Sequence, residues 1–284
     1  MVTRKFLPGS EWLYLKIYTG IKTSDIILQE SIIPLVNFLL KEEQLIIKWF
    51  FIRYNDPKPH LRIRFQLADT SNYKTVLEKV NHQLKDFIDS GEIANIIIDS
   101  YTREIERYGE NTIEFAEELF YKSSELVLNF LEYDDEEKII VSIFYIDKIL
   151  SKLKLSDTEK WALISKFNNS YKKEFNADKN LNTQLDIKFR KFNPSYLNFV
   201  KSDEYAEIRN LFTSNIDESN FLIKNILNHN RNCPVFTPLS DFFQSIFHLH
   251  INRTFISNQR LFEMIVYDFI FRRYKTLVFS NLQD

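Results

Sequence analysis

Residues 46–67, IIKWFFIRYNDPKPHLRIRFQL, decide the fold. Two β-rich runs, IIKWFFIRY (46–54) and HLRIRFQL (60–67), flank NDPKP, whose Asn, Asp and two Pro mark a turn, so a hairpin is expected. Upstream, EWLYLKIY (11–18) alternates as a strand does. Between the two, Thr23, Ser24 and Asp25 offer caps to a helix with Leu28, Ile32, Leu35, Val36 and Leu39 at the 3.6-residue period. Pro34 either kinks that helix or delays its start to Ser31. Downstream, Val76, Leu77, Val80, Leu84, Phe87 and Ile88 predict a helix over 71–90 with Gly91 as its C-terminal cap. IANIIIDSYTREIERYG (93–109) then opens β-branched and ends charged. The order is β-α-β-β-α-β, the ferredoxin-like pattern, which implies an antiparallel sheet with helices on one face and a second face in need of a cover.

From Asn111 onward the periodicity is helical, with stripes at Phe115, Leu119, Leu126 and Phe130, then Ile139, Ile143, Ile146 and Leu150, and a further segment near 157–172. The polar stretch around 173–194 reads as a loop, and three helices are expected near 203–228, 237–253 and 257–276. The last is apolar nearly all round and is the candidate cover for the sheet. The fold class expected is α+β in a single domain over 1–284, with a βαββαβ portion (1–110) and a helical portion (111–284).

Composition excludes several chemistries. The 37 basic and 39 acidic residues leave a net charge of −2, so no nucleic-acid partner is expected. Four glycines, at 9, 20, 91 and 109, cannot supply the glycine-rich phosphate cradles of dinucleotide folds or P-loops. Cys233 alone makes neither an intrachain disulfide nor a cysteine metal site, and reads as a small buried apolar residue. No HExxH occurs, and the HLH of 248–250 diverges on a helix, so no metal or organic cofactor is expected. Without an N-terminal apolar core or about 18 uninterrupted apolar residues, the expectation is a cytoplasmic protein with no membrane span.

Arg62 and Arg64 lie two apart on one strand and share a face, with Leu61, Ile63 and Phe65 on the other. Such a pair is either solvated, paired with structural carboxylates, or the partner of an anionic ligand. Arg53 and His60 join the cluster only if the register turns them to that face. Glu104 and Arg107 face opposite ways if the strand continues through them and touch as i,i+3 neighbours if the segment is helical. In LSDFFQSIFHLHINR (239–253), His250 falls on the apolar stripe and reads as a core histidine, whereas His248 shares a polar stripe with Asp241, Ser245 and Asn252.

FFIRYNDPKPHLRIRF (50–65), YTREIERYGE (101–110) and HLHINR (248–253), in this order, resemble the C-terminal elimination domain of class I lantibiotic dehydratases, which recurs as a stand-alone protein in lantibiotic and thiopeptide pathways. The likeness runs over nearly the whole chain. It implies a lyase that removes glutamate from glutamylated Ser or Thr of a precursor peptide, leaving dehydroalanine or dehydrobutyrine, with a separate glutamylating subunit as partner. It implies Arg62, Arg64, Glu104, Arg107 and His248 as the eliminating set, beside Arg53, His60, Ser245 and Asn252 as substrate-binding candidates. Glu110 and Leu249 stand where the family often has Gly and Met. A pyridine-forming cycloaddition enzyme and a noncatalytic peptide-presenting subunit are the competing expectations.

Overall fold

The computed structural model describes residues 2–232 and 238–280; Cys233 lies outside them. Two compact units are formed, Met1–Leu131 with Asn228–Ser257, and Glu132–Leu227 with Asn258–Asp284.

The first unit contains a short strand β1 (Lys5–Phe6), then β2 (Trp12–Thr19), helix α1 (Thr23–Glu42), β3 (Ile46–Asn55), β4 (Pro59–Leu67), α2 (Tyr73–Asp89) and β5 (Ile93–Asp99). The four long strands form an antiparallel sheet in the order β3-β4-β2-β5, which is the ferredoxin-like arrangement expected from the element order. The hairpin is as read: Ile52 pairs with Arg62 and Tyr54 with His60 across a turn holding a cis Asp56–Pro57 bond. Pro34 does not stop α1; the turn before it, Leu28–Ile32, widens to π geometry and the helix continues. By length and composition α1 is apolar enough to cross a bilayer, but Leu28, Ile32, Leu35, Val36 and Leu39 are all buried, as in a core helix.

One face of the sheet carries Leu13, Leu15, Ile17, Phe51, Leu61, Ile63 and Phe65, all fully buried. The register places Tyr14, Arg64 and Phe50 in one row of the opposite face, and Lys16, Arg62 and Ile52 in the next. Beyond β5 follow β6 (Tyr101–Thr102), paired with β1, the single turn α3 (Ile105–Tyr108) and helix α4 (Ile113–Val127). Helix α10 (Leu239–Thr254) completes the unit. The cover over the arginine face comes from α4 and α10, which pack on β3 and on each other. The final helix, expected in that role, belongs to the second unit instead.

That second unit contains α5 (Asp135–Lys152), α6 (Asp157–Glu174), α7 (Lys179–Lys201) and α8 (Ala206–Glu218), with most of α9 (Asn220–Asn232), and the final helix α11 (Gln259–Ser280), which lies along α6. The polar stretch around 173–194, read as a loop, is mostly helix α7. Asp178 caps it by accepting from the Leu181 N–H at 2.8 Å, and Leu185, Phe192, Tyr196 and Phe199 supply its buried stripe. The single helix expected over 203–228 breaks at Ser219 into α8 and α9. Helix α11 is less uniformly apolar in function than in pattern, because buried Asp268 pairs with Lys172 and Arg272, both at 2.6 Å.

Candidate functional site

A cavity of about 320 Å³ opens in the first unit, and Arg62, Arg64, Glu104, Arg107 and His248 all line it. Strand, turn and helix each contribute by a different local rule. The period of β4 puts both arginines on the covered face. Glu104 precedes α3, whose single turn brings Arg107 Nη1 within 3.3 Å of its carboxylate, so the helical alternative holds. Helix α10 presents His248 from the covering layer.

Arg64 is the unusual member. It is 7% exposed, and its Nε and Nη1 have no hydrogen-bond partner among the described residues. Three rings surround the guanidinium: Tyr14 at 4.2 Å, Tyr101 at 4.9 Å and Phe50 at 5.3 Å from their centroids. Burial pushes its pKa below the usual arginine range, opposed by Tyr14, Tyr101 and Glu104 and reinforced by Arg62. A guanidinium nonetheless keeps its charge in proteins. Cation–π contact offsets part of the desolvation of these two occluded nitrogens, while Arg64 lines the cavity beside Arg62 and Arg107. Three guanidiniums on one cavity suit a carboxylate in charge.

Arg62 is held differently. Its guanidinium stacks 3.5 Å over Tyr54, and its Nε donates to His60 Nε2 at 3.1 Å. His60 Nδ1 must therefore donate to the Lys58 carbonyl at 2.8 Å, since that oxygen only accepts. Burial, with Arg62 and Lys16, lowers the His60 pKa against the Lys58 contact and Asp56, which keeps the ring neutral as this bond requires.

The other candidates divide: His60 shares the arginine face and bonds Arg62, and Arg53 turns away. Arg53 pairs with Leu61, so it has the opposite phase to Arg62 and faces α1, where it meets Asp25 at 2.5 Å and Ser24 at 2.8 Å. His60 and Ser245 are not among the cavity-lining residues; the Ser245 hydroxyl donates to the Asp241 carbonyl at 2.9 Å. Asn252 lines the cavity, yet its amide is engaged on both sides by the Arg53 backbone.

The aromatic cage and its support have no local signature in the sequence. Tyr101 donates to Glu117 at 2.8 Å, and Arg103 grips the same carboxylate through two bonds of 2.7 Å, so a fully buried ion pair fixes one wall of the cage. Tyr14 and Phe50 become Arg64's neighbours only through strand register, which no spacing in the sequence reveals.

His250, read as a core histidine, is fully buried, with Nδ1 at 2.9 Å from Ser123 Oγ. Burial and nearby Arg253 hold its pKa well below the ordinary value. The unfolded chain therefore binds a proton at mildly acidic pH that the folded one does not. Stability is full above the unfolded value of about 6.5 and falls as pH drops below it, by up to about 1.4 kcal/mol per pH unit for this one group. Urea midpoints at pH 7.0 and 5.5 should show that loss, and a midpoint that does not change with pH refutes it.

Residues 12–274 match the family described as lantibiotic biosynthesis dehydratase C-term. The chain is 26% identical over 266 residues to subtilin biosynthesis protein SpaB of Bacillus subtilis, covering 90% of this chain and 25% of SpaB. To nisin biosynthesis protein NisB of Lactococcus lactis subsp. lactis it is 32% identical over 176 residues, covering 55% of this chain and 17% of NisB. It thus spans a quarter or less of the length of these two relatives. In fold it is similar to MibB, a tRNA-dependent lantibiotic dehydratase from Microbispora sp. 107891, with a TM-score of 0.73 at 18% identity over 99% of this chain and 29% of MibB. It is also similar to TbtD, a pyridine synthase from thiomuracin biosynthesis, with a TM-score of 0.59 at 11% identity, covering 94% of this chain and 100% of TbtD. Since the family match takes in both arginine-bearing strand and histidine-bearing helix, the chain that builds this cavity belongs to the lantibiotic biosynthesis dehydratase C-terminal family.

Proposed function

We propose that this protein is a carbon–oxygen lyase that removes glutamate from glutamylated Ser or Thr residues of a ribosomal precursor peptide. The Cα–H and Cβ–O bonds break, a Cα=Cβ bond forms, and glutamate departs as its carboxylate. The observation that carries this reading is the convergence of the Arg62, Arg64 and Arg107 guanidiniums with Glu104 and His248 on one cavity. The arginines hold the leaving carboxylate and the oxyanion that develops at the peptide carbonyl, Arg64 from a buried position and Arg107 from a half-exposed one. Glu104 receives the glutamyl ammonium or orients Arg107. His248 is the group for proton transfer.

The reaction needs a substrate already glutamylated, so a glutamylating activity acts on the same precursor peptide first, in the cytoplasm, and the elimination step itself has no need of nucleic acid. A pyridine-forming reading is favoured by one observation, the full-length fold likeness to TbtD. The cavity's cations favour elimination, because cycloaddition has no glutamate to hold.

Glutamylated precursor peptide supplied without tRNA or partner, and followed by mass spectrometry, tests the proposal. The expected product is the dehydrated peptide with stoichiometric free glutamate. Release of a leader segment would point to cycloaddition, and binding without turnover to a presenting subunit; either would sink the lyase reading.

A further inference from the structure

The layer that carries His248 is tied to the sheet that carries the arginines by a set of bonds outside the eliminating residues. Asn252 sits one helical turn beyond His248 on α10, and both line the cavity. Its Oδ1 accepts from the Arg53 N–H at 2.9 Å and its Nδ2 donates to the Arg53 carbonyl at 2.9 Å. The side-chain amide thus occupies the open edge of β3 as a neighbouring strand would, satisfying a donor and an acceptor that an edge strand otherwise leaves unpaired. Two reciprocal bonds flank it. Arg53 Nε donates to the Arg253 carbonyl at 2.8 Å, and Arg253 Nε donates to the Phe51 carbonyl at 2.7 Å. Arg53 and Phe51 lie on the strand next to β4, with Ile52 and Phe50 directly across from Arg62 and Arg64.

We propose that Asn252 is a positioning residue for elimination, setting the distance and angle of His248 to Arg62 and Arg64 by docking α10 in register on the β3 edge. The inference rests on the lyase reading above. An amide is required because the two Arg53 groups differ in sign: one donates and one accepts, and only a side chain with both functions matches them without a shift of the helix. Asp at this position keeps the shape and the acceptor, but sets a carboxylate oxygen against the Arg53 carbonyl.

The test compares wild type, Asn252→Asp, Asn252→Ala, His248→Ala and the double variant Asn252→Asp/His248→Ala on glutamylated peptide, with circular dichroism confirming folding. A displacement of about 1 Å in a reacting group lowers turnover by up to about 100-fold, so kcat in Asn252→Asp should fall about 10- to 100-fold. The peptide's Kd should remain within about twofold, because the arginines that bind it are untouched. On the His248→Ala background the same substitution should change the residual rate less than about twofold, since it acts through that imidazole. Undiminished kcat, a Kd weakened as much as kcat falls, or an equal loss with and without His248 each overturns the inference. A wild type that leaves glutamylated peptide intact overturns the lyase reading and this inference together; an active wild type with an equally active Asn252→Asp overturns this inference alone.

Discussion

Replacing Arg64 with Met is expected to lower elimination by at least about 100- to 1000-fold while leaving the protein as stable as before or more so. The two effects share a cause. Arg64 is buried with Nε and Nη1 unpartnered among the described residues, so its desolvation is offset by the rings of Tyr14, Tyr101 and Phe50 and by the charge of Glu104, with no direct ion pair among the described residues. An aliphatic chain of similar length fills the cage without that penalty, and substitutions of buried charge by apolar residues are often neutral or stabilising by about 1–4 kcal/mol. The catalytic loss follows from the opposite side of the same balance: a fixed donor to a developing anion is worth about 100- to 1000-fold in rate. Urea titration and mass spectrometry of glutamylated peptide read the two quantities. Strong destabilisation would show that Arg64 is a structural cation, and undiminished glutamate release would remove it from the reaction.

Glu117→Ala should be the most damaging single change to the fold of the first unit. It leaves Arg103, 4% exposed, to the longer contacts with Glu114 at 3.3 Å and the Thr3 carbonyl at 3.2 Å in place of two bonds of 2.7 Å, and it frees the Tyr101 hydroxyl. Removing one partner of a buried ion pair costs about 3–5 kcal/mol, because the remaining charge stays buried. The double replacement Arg103→Met/Glu117→Leu should recover much of that loss, since both charges leave together. A Glu117→Ala urea midpoint close to wild type would refute the assignment. Arg64 differs: Arg103 is satisfied by protein carboxylates, whereas Arg64 lies against the Tyr101 ring with Nε and Nη1 unpartnered among the described residues.

Helix α7 was hidden by its own polarity. Its buried residues recur too sparsely to stand out in a stretch rich in Asn, Lys and Asp, and packing of Leu185, Phe192 and Tyr196 decides the matter. The misassigned cover has a related origin, because an apolar helix can be recognised as buried without any sign of what buries it. Here α11 packs on α6, and the sheet takes α4 and α10.

What could be read from the chain alone was whatever depends on local period: the hairpin, the β-α-β-β-α-β order, and the shared face of Arg62 and Arg64, since successive side chains on a strand must alternate. Tertiary structure decided what depends on pairing between distant segments. It turned Arg53 away from the cluster and coupled it to Asn252, 199 residues later, and it caged Arg64 with rings from two neighbouring strands and from Tyr101. Register and docking are set by the summed packing of many residues, and no single spacing encodes them.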